Sequence, residues 1–302
     1  MDESKTDRVA SLVVIVSGVF WGLYWLPVRR IDEAGLPGAW ATFFSVAVAA
    51  IVLAPFALWH WRRLARANPL ALLYIAVGGA AFVLYSVGFV YGRVAIIILL
   101  FYLTPVWSSL IGRFVLGWRS RASRTLVIIL GVLGLLVMLG GEGEIPVPRS
   151  VGEWLALAAG LLWSISSTGI RLTSNLRAVE TSFVFACGAL VSAAVLAPML
   201  APLPTGIAPD AMTPLVGWSL AAGIGWWVLN TTGLLWATAR LEPARVGILL
   251  MSEVLVGAIS GALLAGEHLG PFEWAGGTLV LVAAAIEIFS SSAKGGTAHA
   301  AS

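Results

Sequence analysis

Little in this chain is suited to chemistry by metals, thiols or paired acids. A single cysteine, Cys187, excludes an internal disulfide. The three histidines, His60, His268 and His299, lie far apart with no metal-ligand spacing. No Gly-rich loop leads into a Lys-Ser or Lys-Thr pair, which excludes ATP hydrolysis within the chain. Neither metal nor cofactor is expected. Charge is scarce as well: 11% of residues are charged against 59% hydrophobic, and the mean hydropathy is +0.95. A soluble surface cannot carry that composition. The net charge of +3 comes without the basic face that nucleic acid requires, because the cations sit at the ends of apolar runs. Short alternating strands, the mark of a membrane barrel, are absent too.

What the chain does have is apolar length. Roughly 20 apolar residues cross a bilayer, and runs of that order lie near 9–28, 37–59, 70–91, 94–116, 123–140, 151–171, 178–200, 213–238, 243–265 and 271–290. The first, Val9–Val28, stands where a signal peptide would, but equally apolar runs recur to the C-terminus, so it reads as a span. In lipid an open strand leaves its N–H and C=O groups unpaired, so every span must be helical. The expected fold is an all-α membrane protein with ten transmembrane helices. With the N-terminus inside, 13 cations fall on the cytoplasmic side and 4 opposite (Arg29, Arg30, Arg93 and Arg149), with Arg113 unassigned. That split places both termini, residues 1–8 and 291–302, in the cytoplasm. Trp25, Trp40, Trp59, Trp61, Trp118, Trp154, Trp218, Trp236 and Trp274 fall near span ends, as interfacial aromatics do.

The halves repeat. Gly18-Val-Phe-Trp21 followed by Arg29 matches Gly160-Leu-Leu-Trp163 followed by Arg171 at identical spacing. Residues Arg93 to Pro105 align without gaps to Glu242 to Val254, with Gly117 and Gly266 twelve residues beyond the two ends. Five spans per copy is an odd number, so the copies 9–140 and 151–290 enter the membrane with opposite polarity. Two inverted five-helix repeats can exchange conformations around a midplane site, which is the logic of alternating access.

The stretch Leu103-Thr104-Pro105-Val106 with Gly117, and Ser252-Glu253-Val254 through Gly266-Glu267, resemble the ten-span EamA-like branch of the drug/metabolite transporter superfamily. Within it the chain is similar to bacterial aromatic amino acid exporters of the YddG type. Typical members show a Pro followed by a Gly-Glu pair in each half; here Val254 replaces the second Pro and Trp118 the first Glu. The resemblance implies a multi-pass protein of the bacterial inner membrane that exports small metabolites. Amino acids, aromatic ones among them, are the first expectation, and other organic solutes or cationic drugs the alternative. Its partners would be that small molecule and the lipid bilayer, with no nucleic acid.

Charges inside a bilayer are costly, so those that persist are functional candidates. Glu253 lies well inside span nine, whereas Glu287 sits near the cytoplasmic end of span ten, where snorkelling or pairing with Arg113 explains it. Trp21, Trp107, Trp163, Trp226 and Trp227 are too deep for an interfacial belt, and Tyr85 and Tyr102 add hydroxyls at similar depth. Helix packing competes with solute binding for each ring. Trp163, Ser166, Ser167 and Ile170 share one helical face, and Trp21, Tyr24 and Trp25 another. The residues expected to meet a solute are Trp21, Tyr85, Tyr102, Trp163, Ser166, Trp227, Asn230, Ser252 and Glu253, with Pro105 as a hinge. An enzyme would need a nucleophile–base or metal constellation, and a channel a continuous polar lining; neither pattern is present.

Overall fold

The computed structural model describes residues 3–117, 122–140, 147–238, 240–241 and 243–292. Trp118, Arg119, Arg121, the far C-terminal tail with Lys294 and the side chain of Glu287 lie outside the described residues. All regular structure within them is helical. The elements are α1 (Glu3–Gly22), α2 (Trp25–Glu33), α3 (Ala39–Trp59), α4 (Trp61–Ala65), α5 (Pro69–Tyr91), α6 (Val94–Phe101), α7 (Thr104–Phe114) and α8 (Ala122–Gly140) in the first half. The second half holds α9 (Val151–Thr173), α10 (Ala178–Leu200), α11 (Pro209–Leu220), a π-helical stretch (Ala221–Asn230), α12 (Thr231–Thr238), α13 (Pro243–Leu250), α14 (Ser252–Leu264) and α15 (Pro271–Ser292).

Local chemistry starts these helices where they start. Asn68 accepts from Leu70 N–H at 2.9 Å with Pro69 in the first helical position of α5, where the missing N–H costs nothing. Ser150 accepts from Glu153 N–H at 3.1 Å at the start of α9, and the Glu153 carboxylate reaches back to Arg149 N–H at 2.8 Å. That is a capping box displaced by one residue.

Among the described residues, eight helical stretches are long and apolar enough to cross a membrane: Thr6–Glu33, Ala39–Trp59, Pro69–Tyr91, Val94–Phe114, Val151–Thr173, Ala178–Leu200, Pro209–Thr238 and Arg245–Leu264. Thr125–Gly140 and Pro271–Ile286 are apolar but shorter. The chain is therefore a multi-pass helical membrane protein, and the difference from the expected ten lies in the helix that closes each half. These two, α8 and α15, pack on each other. A Cβ on Gly134 would stand 2.7 Å from the Gly276 carbonyl, so the two backbones touch directly.

Several spans come in two pieces. Thr6–Glu33 breaks at Leu23–Tyr24, Val94–Phe114 at Tyr102–Leu103 and Arg245–Leu264 at Met251. Pro105 is consequently not an interior kink but the second residue of a new helix, where proline is tolerated, and the Thr104 hydroxyl takes up the freed Phe101 carbonyl at 2.7 Å. Helix α5 lies against α9 and α10, α10 against α3, and α14 against α1. Their meeting point is the buried core in which Trp21, Tyr85, Phe101 and Trp227 sit.

Candidate functional site

Rings from six segments converge at mid-height. Trp21 closes α1, Phe82 and Tyr85 lie one turn apart on α5, and Phe101 ends α6. Trp163 comes from α9, Phe185 from α10 and Trp227 from the π-helical stretch. Phe82 stands between the two indoles, 4.8 Å from Trp21 and 5.0 Å from Trp163 between ring centroids, edge to face on both sides. Phe185 adds contacts of 5.3 Å to Phe82 and 6.0 Å to Trp227. Such tilted arrangements place ring edges on ring faces and add about 0.5–1.5 kcal/mol per pair beyond area burial.

One acid lies beside this cluster. Glu253 is 7% exposed and occupies the first turn of α14, because the break at Met251 starts a new helix there. A helix N-terminus favours a carboxylate. The Tyr85 hydroxyl donates to it at 2.7 Å, and the Tyr102 hydroxyl lies 3.3 Å away while donating to the Leu250 carbonyl at 2.7 Å. Both phenols belong to the first half and the carboxylate to the second. Polar atoms of the cluster are unevenly satisfied. Trp227 donates its N–H to the Tyr24 hydroxyl at 2.7 Å, whereas Trp21 Nε1 and Ser166 Oγ are buried and have no partner among the described residues.

Ion pairs tie the halves together above and below the cluster. At one end Arg29 pairs with Glu267 at 2.9 Å and also donates to the Phe89 and Gly92 carbonyls, each at 2.9 Å. Arg93 pairs with Glu273 at the same end, one of its contacts measuring 3.0 Å. The Glu273 carboxylate raises the Arg93 pKa above its ordinary value, so the guanidinium stays charged. At the opposite end Arg63 pairs with the buried Glu180 at 2.9 Å.

Residues 8–140 match the EamA-like transporter family. Over that stretch the chain is similar to the family. No curated protein matches the chain. Among solved structures, one described only as the crystal structure of a protein is 17% identical, covers 92% of this chain and 95% of its own, and superposes with a TM-score of 0.56. That likeness shows a shared fold.

Of the residues singled out in sequence, the first half brings Trp21, Tyr85 and Tyr102 to the cluster, and the second half brings Trp163, Trp227 and Glu253. Ser166 is fully buried on the same face of α9, where a Cβ on Gly78 would touch its hydroxyl. Asn230 and Ser252 lie along α1 instead. Asn230 reaches the Ser17 carbonyl at 3.5 Å, and Ser252 donates to the Leu249 and Ile15 carbonyls at 2.8 and 3.3 Å. Trp25 is not interfacial, being 3% exposed with its N–H on Ser260 Oγ at 2.9 Å. Its position after the break at Leu23 turns it inward. Trp59, Trp61, Trp154 and Trp274 are exposed, as interfacial rings are. Phe82, Phe101 and Phe185 do not stand out in the sequence, since phenylalanine in an apolar run carries no polar signal. The one available hint was the spacing of Phe82, one turn before Tyr85.

Proposed function

We propose that the chain is a ten-span secondary transporter, built from two inverted EamA-like repeats over 9–140 and 151–290 with both termini cytoplasmic. In this reading it exports small metabolites, amino acids including aromatic ones, by alternating access from the bacterial inner membrane. The observation that carries this is the buried Glu253 carboxylate, held by Tyr85 and Tyr102 across the two halves beside a cluster of rings. An amino acid presents an ammonium that suits the carboxylate and a carboxylate that suits the unpartnered Trp21 N–H and Ser166 hydroxyl. Aromatic side chains would add ring contacts to Trp163 and Phe82.

Support for the repeat comes from contacts that recur in exchanged pairs. Helix α1 lies on α14 as α9 lies on α6 and α7, and α5 lies on α9 as α1 lies on α12. The breaks at Tyr102 and Met251 fall at aligned positions, and Gly117 and Gly266 share left-handed φ values of 62° and 65°.

The same carboxylate and rings favour an organic cation as the second reading, through charge pairing and cation–π contact. A channel is disfavoured because it needs a continuous polar lining. Flux into sealed vesicles separates these outcomes. Saturable uptake with counter-flow of aromatic amino acids is the result expected. Uptake of organic cations that amino acids do not inhibit selects the second reading, and unsaturable flux removes the carrier altogether.

A further inference from the structure

Where α3 gives way to the five-residue helix α4, a cavity of about 720 Å3 opens between α4, the start of α5 and the link from α9 to α10. Arg62, Arg63, Arg66 and His60 line it, with Asn68 and Asn175 facing them. Acid is scarce there. Glu180 answers Arg63, while Arg62 and Arg66 have no carboxylate within ion-pair distance among the described residues. Arginines beside a span ordinarily form a solvated face that orients the chain. This group differs in lying in a concavity, with walls from both halves. Trp59, 86% exposed, lines it, and Trp61, 57% exposed, opens the neighbouring helix α4. Exposed indoles on a membrane protein sit at headgroup depth, so the cavity opens at that depth too.

We propose that this cavity binds the headgroup of an anionic phospholipid. Guanidinium groups match phosphate oxygens in forked pairs, and basic pockets between spans are a recurring way to hold anionic headgroups. The Asn68 and Asn175 amides supply neutral donors for a glycerol headgroup, and the exposed Leu70 and Leu73 on α5 offer an apolar track for the acyl chains.

The test uses the full chain, purified in a neutral detergent and titrated with phosphatidylglycerol, phosphatidylcholine or inorganic phosphate, with bound lipid counted by native mass spectrometry. Phosphatidylglycerol should bind in preference to phosphatidylcholine. R62Q/R66Q should weaken it about ten- to thirtyfold, on roughly 1 kcal/mol per arginine near an anionic surface. R8Q removes an exposed cation outside the cavity lining and should leave binding unchanged. Equal binding of phosphatidylcholine, competition by inorganic phosphate at matched concentration, an equal loss in R8Q, or full affinity in R62Q/R66Q would each overturn the proposal. Phenylglyoxal labelling of the unmodified sequence supplies a check that needs no variant to fold. Phosphatidylglycerol must protect Arg62 and Arg66, and unprotected labelling overturns the site.

Discussion

A charged side chain at the centre of a membrane helix costs about 3 kcal/mol on insertion scales, and Glu253 offsets that cost with a helix N-terminus and two phenols. Replacing the acid by its amide keeps the shape and removes the charge. Glu253→Gln should fold and lose the pH dependence of transport across about pH 5.5–8; a variant with the wild-type pH profile would show that coupling does not run through this side chain. Trp163→Ala should weaken apparent solute affinity about ten- to hundredfold, from ring contacts of about 0.5–1.5 kcal/mol together with the lost apolar area. Trp154→Ala, which removes an exposed ring, should be nearly silent in the same uptake titration. Equal effects from the two would assign Trp163 to packing. At this scale the sequence was legible wherever a polar atom stood out against an apolar run. Glu253, Tyr85 and Tyr102 could be picked individually. Their mutual contact could not, since their separations of 168 and 151 residues leave no local trace.

Elements were legible as lengths and poorly legible as interruptions. Pro105 announced a disturbance in Val94–Phe114, but the same disturbance in Arg245–Leu264 falls at Met251 with no proline near it, visible only because the two segments align. The matched glycines carried more information. Gly117 and Gly266 follow the ends of α7 and α14 with φ values of 62° and 65°, a region that side chains with a Cβ enter at about 1–2 kcal/mol. Gly266→Ala should therefore lower the thermal midpoint of the purified protein by a few degrees. Gly206→Ala, at a glycine with open space around it and no positive φ, should not move it. An unchanged midpoint in Gly266→Ala would mean that the turn relaxes without penalty.

For the molecule as a whole, orientation rests on the cation count and its test on the link between α10 and α11. A cysteine at Gly206, in a Cys187→Ala background, should react with an impermeant thiol reagent from outside the cell. Labelling from the cytoplasm alone would overturn the topology and the ten-span count with it. The Arg29–Glu267 pair ties the halves at the same end. Arg29→Glu should slow transport by placing two acids together, and Arg29→Glu with Glu267→Arg should recover part of the rate; failure to recover would assign Arg29 to the Phe89 and Gly92 carbonyls instead.

The partners of Glu253 also set an order of assembly. Synthesis runs from the N-terminus, so Tyr85 and Tyr102 are already in the bilayer when the acid that needs them leaves the ribosome. The first half enters lipid with only the neutral Tyr85 and Tyr102 hydroxyls waiting at this site for their acceptors. The second, made alone, would bring a carboxylate without its two hydroxyls, at a cost of about 3 kcal/mol against insertion of that helix. Expressed as two separate polypeptides, the halves should be unequal orphans: 1–146 stable by itself, and 147–302 degraded unless its companion is present.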